Sequence, residues 1–171
     1  LHVPRAAQQW VSAKRGRNES PSARSSQSER LTQSTTLVMK NSVYLETIKR
    51  LVIPSIKGFK PDLILVACGF DASGVDPLGR MLCGSNTFKQ MTKVLVDLAE
   101  KICSGRIVMA HEGGYSEVHV PFCGHGVLQV MSGSKIDILD PLEKRIEGQQ
   151  PSEEFNRFAF DIIESLEKDL F

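Results

Sequence analysis

The chain has 171 residues and a net charge of +1, which allows at most one ordinary domain with a proper core. The near-neutral balance argues against nucleic acid or a membrane surface as the main partner, and no apolar run approaches the length that spans a bilayer. Cys68, Cys83, Cys103 and Cys123 are widely spaced and form no CxxC pair. Neither a zinc knuckle nor a redox motif is therefore suggested, and a reducing compartment fits best. Cys68, Cys103 and Cys123 lie in apolar runs and act there as small hydrophobes.

In chain order, residues 1–36 stand apart. They carry Arg5, Lys14, Arg15, Arg17, Arg24 and Arg30 against Glu19 and Glu29, with scattered serines and Trp10 as the one large aromatic. Such a stretch buries too little surface to offset the entropy of ordering, so it is expected to be a disordered basic leader. Arg-rich, Ser-rich and acid-poor composition also marks organelle transit peptides; a leader with no structural role is the other reading. The start at Leu1, without methionine, hints at a fragment or a processed product.

From Lys40 the pattern turns helical. Val43, Tyr44, Ile48, Leu51 and Val52 share one face, and Pro54, Gly58 and Pro61 are expected to kink or end that helix. Leu63 to Cys68 is a short run apolar on both faces, the mark of a buried strand of a parallel sheet. It ends in Gly69-Phe70-Asp71 and a turn-rich loop, Ala72 to Gly79. Ser85-Asn86 offers an N-cap for a helix over 86–103, with Phe88, Met91, Val94, Leu95, Leu98, Ala99 and Ile102 at three- and four-residue spacing. Ser104-Gly105 stops it, and a second strand, Arg106 to Ala110, runs into His111-Glu112-Gly113-Gly114-Tyr115. Strand, long helix, strand predicts a right-handed parallel βαβ unit.

The stretch from Glu117 to Met131 predicts a helix packed closely on the sheet, in which His119 and His125 read as structural. Asp137 to Gln150 reads as a loop. Pro151-Ser152-Glu153-Glu154 opens a last helix burying Phe155, Phe158, Ile162, Ile163 and Leu166.

The chemistry gathers at one place. Ligands of an open α/β sheet bind beyond the carboxyl ends of its strands, and parallel neighbours deliver their tips to the same edge. Asp71 and Tyr115 therefore face one crevice. Asp71 either caps its own loop or meets a cation or a partner, since a lone buried carboxylate is costly. Tyr115 is either a hydroxyl donor in a pocket or an amphipathic aromatic at the edge of the core. Gly113-Gly114 lets backbone approach a ligand closely.

These residues carry a resemblance. Lys60-Pro61-Asp62-Leu63-Ile64-Leu65-Val66-Ala67-Cys68-Gly69-Phe70-Asp71, then Asp76-Pro77-Leu78-Gly79-Arg80, then His111-Glu112-Gly113-Gly114-Tyr115-Ser116-Glu117 resembles the zinc-dependent histone deacetylase family. It is closest to the class II and bacterial deacetylase-like branch, from about Tyr44 to Phe171. The resemblance implies an arginase/deacetylase-like α/β fold, an open parallel sheet with helices on both faces, here incomplete. Residues 40–171 would be the carboxyl-terminal part of such a domain. It implies hydrolysis of N-acetyl-lysine amides on histones or other proteins, a Zn2+ cofactor, and a nuclear or cytoplasmic setting, or an organelle if the leader is a transit peptide. By position, Asp71 resembles a zinc ligand and Tyr115 the phenol that stabilises the oxyanion. Gly113, Gly114, Phe70 and Leu78 resemble substrate-lining positions, leucine at 78 matching the lysine-directed members.

The departure from the family is equally specific. The tandem histidines that act as general base and acid, and the Asp-x-His segment giving further zinc ligands, are absent. His2, His111, His119 and His125 include no adjacent pair. Catalytic zinc normally takes three protein ligands, so the chain is expected to be inactive alone. The alternative is a non-catalytic product or binding module that keeps half of the deacetylase sheet. A generic nucleotide-binding domain is set aside, because no GxGxxG or P-loop follows a strand.

Overall fold

The computed structural model describes residues 41–171 and the strand Ser12–Lys14. In chain order the elements are β1 (Ser12–Lys14), α1 (Asn41–Thr47), a π-helical turn (Ile48–Val52), α2 (Ile53–Phe59) and β2 (Leu63–Cys68). There follow α3 (Ser85–Cys103), β3 (Ile107–His111), α4 (Val120–Ser132), α5 (Glu143–Gly148) and α6 (Glu153–Leu170).

The predicted βαβ unit is present. β2 and β3 are parallel neighbours in the register Ile64↔Ile107 to Cys68↔His111, with α3 crossing between them. β1 lies on the other side of β2 and runs antiparallel to it, Ser12 opposite Leu65. The sheet described is thus mixed, and three residues of the stretch expected to be a disordered leader form its edge strand. The rest of 1–36 lies outside the described residues.

β2 alternates. Ile64, Val66 and Cys68 are buried, whereas Leu65 is 39% exposed, so one face of the strand meets the core where burial on both faces was expected. On that core face, Phe88, Met91, Leu95 and Ala99 of α3 are fully buried, and Val43, Ile48, Leu51 and Ile56 close the same cluster. α4 packs along α3.

Four further expectations need correction. Pro54 does not end the first helix. Backbone torsions stay helical through Thr47, Val52 and Ile53, and α1, the π turn and α2 form one continuous rod that stops at Lys60 in the left-handed region (φ 53°). Proline lacks the amide that would bond one turn back, and its ring crowds that carbonyl. The wider π turn just before it accommodates both effects.

The segment 137–150 is not all loop, because Glu143–Gly148 is helical around a single fully buried side chain, Ile146. On α6 the buried face is Asn156, Ala159, Ile163 and Leu166, while Phe158 is 54% exposed. The two long helices also differ at their N-caps. Ser152 caps α6, its hydroxyl accepting from the Phe155 amide. At α3 the N-cap is Gly84, and the Glu143 carboxylate accepts from the Ser85 hydroxyl and the Asn86 amide in place of a local cap.

Candidate active site

The strand tips meet as the topology requires. Beyond Cys68 the chain of β2 continues to Phe70, whose amide donates to the Gly113 carbonyl at 2.7 Å, so the two loops stay paired after the sheet ends. Asp71 follows at the carboxyl end of β2, half-buried. Its carboxylate lies against Gly113. A Cβ on Gly113 would sit 2.9 Å from Asp71 Cγ and 3.1 Å from each carboxylate oxygen. Glycine is needed there for close approach, and Gly114 is needed for its backbone, with φ at 128°. Tyr115 comes next with its side chain 55% exposed.

Phe70 is buried behind this edge, in edge-to-face contact with Phe88 (5.3 Å between ring centres) and tilted on His111 (5.0 Å). Leu78 lies on the 71–79 loop, 72% exposed. An apolar groove of about 530 Å³ opens beside Phe70, walled by Met109, His111, Val120, Leu128 and Met131. Asp71, Leu78, Gly113, Gly114 and Tyr115 are not part of its wall. The backbone thus brings Asp71, Gly113, Gly114 and Tyr115 to one edge, and places Phe70 between that edge and the groove.

Two buried polar clusters hold the edge together, and both escaped the sequence reading. Asp76 is 8% exposed. One carboxylate oxygen accepts from the amides of Leu78 (2.9 Å) and Gly79 (2.8 Å), and the other from the amide of Tyr115 (2.7 Å). Three amide donors compensate the charge's loss of water. The signal was present in part, since Asp before Pro-Leu-Gly caps its own turn; the bond to Tyr115, 39 residues away, has no local signature.

The second cluster centres on His119, which is fully buried. Its Nδ1 is 2.6 Å from Ser73 Oγ and its Nε2 is 2.8 Å from Asp140 Oδ2. A neutral ring with its proton on Nε2 satisfies both contacts, donating to Asp140 and accepting from the Ser73 hydroxyl. The order of groups is that of a serine hydrolase triad, but Ser73 is 1% exposed, so its hydroxyl meets no substrate. The cluster ties the Asp71 loop to the start of α4 and to the Asp140 turn. It gives His119 the structural role expected from sequence.

Asp140 is held below the usual aspartate range. Burial, the largest influence, pushes it up, and the nearby Ser85 hydroxyl together with hydrogen bonds from the Leu142 amide and His119 outweighs that. The Tyr44 hydroxyl, buried with no hydrogen-bond partner among the described residues, is pushed far up by burial, with Cys83 and Asp71 adding to it.

Zinc, which the family resemblance implies, needs more ligands than this edge supplies. Among the described residues no group of three or more His, Cys, Asp or Glu side chains could hold a metal ion. Asp71 brings a single carboxylate, so the described residues do not fit a complete catalytic zinc site.

Comparison with known proteins agrees with the topology. The sequence profile of the histone deacetylase domain matches residues 15–131, a span that takes in most of the basic stretch assigned by composition to the leader. A histone deacetylase-like amidohydrolase of Pseudomonas aeruginosa is 45% identical over 126 residues, covering 74% of this chain and 33% of that protein. Histone deacetylase 8 of Arabidopsis thaliana is 30% identical over 117 residues, covering 68% of this chain and 30% of that one. The solved structure of the histone deacetylase Clr3 superimposes with a TM-score of 0.59 at 22% identity over 78% of this chain and 20% of the other, a likeness of fold. The chain spans about a third of the length of these two curated relatives. With the profile matching well over half of its residues, the chain belongs to the histone deacetylase domain family and has the arginase/deacetylase fold.

Proposed function

We propose that this chain supplies the Asp71–Tyr115 edge of a deacetylase-type amidohydrolase acting on N-acetyl-lysine amides of histones or other proteins. The observation that carries this reading is the closure of the two loops on each other. The Gly113 carbonyl accepts from Phe70, and the Asp71 carboxylate lies against Gly113, two residues before the exposed Tyr115. In this reading the Tyr115 phenol donates to the substrate carbonyl oxygen, whose charge grows as the amide is attacked, and a donor placed there stabilises the oxyanion. Asp71 provides one carboxylate toward the zinc that the family resemblance implies. Leu78, apolar and exposed, lines the approach of a lysine stem.

By the same reading the chain alone does not turn over substrate. Its histidines include no adjacent pair to serve as general base and acid, and positioned proton transfer contributes a factor of roughly 100 to 10,000. The second reading, a non-catalytic binding module, is favoured only by this missing ligand set.

A chimera separates the two readings. Residues 41–171 replace the matching part of the Pseudomonas amidohydrolase, and hydrolysis of an acetyl-lysine peptide is followed. The proposal expects turnover that Tyr115→Phe and Asp71→Asn each abolish. A folded chimera without turnover, or with turnover indifferent to both substitutions, overturns it.

A further inference from the structure

We infer that Asp76 is the positioning residue that holds Tyr115 over the Asp71 edge. The inference rests on the role proposed above for Tyr115. The geometry is asymmetric: among the described residues one carboxylate oxygen takes the two amides of its own turn, Leu78 and Gly79, and the other takes the amide of Tyr115 alone. Tyr115 follows Gly114, whose φ of 128° gives the backbone little conformational restraint of its own. Its side chain is 55% exposed, so packing restrains it weakly. Asp76 itself is fixed, being 8% exposed, with its own amide donating to the Ser73 carbonyl at 3.1 Å. Ser73 in turn is locked to His119 at 2.6 Å. A rigid buried cluster thus ends in one charge-assisted bond to the one residue of the edge that must be placed accurately.

The asymmetry supplies a selective variant. Asparagine has one acceptor oxygen and one amide donor group. In Asp76→Asn the oxygen serves Leu78 and Gly79, which together offer two donors, and the amide group then opposes the Tyr115 N–H, donor against donor. The turn survives while the tether is cut.

The test is residue-resolved amide exchange on the full chain, with 3-fluorotyrosine at Tyr44 and Tyr115, the only two tyrosines. In Asp76→Asn, Tyr115 should exchange about ten- to a hundredfold faster, the factor that goes with losing one hydrogen bond to a charged group. Leu78 and Gly79 should stay within about twofold, and the fluorine resonance of Tyr115 alone should move toward that of the free amino acid. Unchanged exchange at Tyr115, or faster exchange shared equally by Leu78, Gly79 and the strand amides, overturns the inference. Should the variant not fold, amide exchange of the unmodified chain decides. The Tyr115 amide must be protected as the Leu78 and Gly79 amides are, and a Tyr115 amide that exchanges freely while those two stay protected overturns it. None of these readouts involves metal or substrate. A dead chimera with the Tyr115 tether intact would therefore condemn the proposed function and leave the tether standing.

Discussion

Replacing His119 with leucine tests whether the buried cluster, and not a nucleophilic triad, is the reason for that histidine. Leucine fills much of the same volume, so little cavity forms, and the cost is electrostatic. Ser73 and Asp140 each lose a partner, at 2.6 and 2.8 Å, in surroundings where they are 1% and 9% exposed. An orphaned buried hydroxyl costs about 1–3 kcal/mol, and a buried carboxylate that loses its donor costs somewhat more. Asp140 keeps its bond from the Leu142 amide, which tempers the larger cost. The expected loss is therefore about 3–5 kcal/mol, a third or more of the stability of an ordinary domain. At about 2–4 °C per kcal/mol for a chain of this size, the melting temperature should fall by roughly 6–20 °C. Thermal and urea unfolding of the single variant, of Ser73→Ala and of the pair would measure it. Adding Ser73→Ala to His119→Leu should cost clearly less than Ser73→Ala alone, because the bond to His119 is already gone and only the one from the Val75 amide remains to be lost. A loss below about 1 kcal/mol for His119→Leu, or full additivity in the pair, would refute the reasoning.

Other outcomes follow from the same geometry. All four cysteines are buried, and burial pushes the Cys68 thiol up to about 12 and those of Cys83 and Cys123 up as well. A thiol-disulfide reagent at neutral pH should therefore label none rapidly in the native chain and all four in denaturant; fast native labelling of Cys68 would contradict this. Because the folded state lowers the Asp140 pKa, its contribution to stability is complete above the unfolded value. That contribution is lost as pH falls through the lower folded value, so Asp140→Asn should flatten the acid limb of the stability curve below the ordinary aspartate pKa of about 4. An unchanged acid limb would refute it. Gly113→Ala places a Cβ 2.9–3.1 Å from the Asp71 carboxylate and should destabilise by about 1–3 kcal/mol, with the Asp71 side chain turned away in a crystal structure. An unmoved Asp71 with unchanged stability would show that the approach is looser than described.

Most of what places the site was legible in the sequence, because it depends on local signals that tertiary structure had no reason to override. The runs Leu63 to Cys68 and Ile107 to Ala110 are short, branched and bounded by turn residues, and α3 between them has a full amphipathic period. Parallel pairing, and with it the meeting of Asp71 and Gly113 at one edge, follows from connection length alone. What stayed hidden was either too short to show a period or held by distant partners. α5 is six residues around one buried side chain, so no periodicity marks it. The rod from Asn41 to Phe59 passes Pro54 by widening into a π turn, a remedy invisible to a rule about proline. β1 lies in a stretch whose composition speaks for disorder, and it pairs through backbone groups. Phe158 is exposed and Asn156 buried because packing against the first rod, where Glu167 bonds Arg50, sets the rotation of α6. Asp76 and His119 find their partners 39 and 46 residues away, and no spacing rule reaches that far.

Zinc stoichiometry of the purified chain, measured together with hydrolysis of an acetyl-lysine peptide, bears most directly on the claim that the chain carries one edge of a deacetylase site without the rest. Asp71 alone should leave zinc weakly held and well below one ion per chain, with no turnover above background, because catalysis needs three protein ligands and an open fourth position. One tightly bound zinc per chain, with turnover that Asp71→Asn abolishes, would contradict the account and mean that other side chains of this protein complete the site.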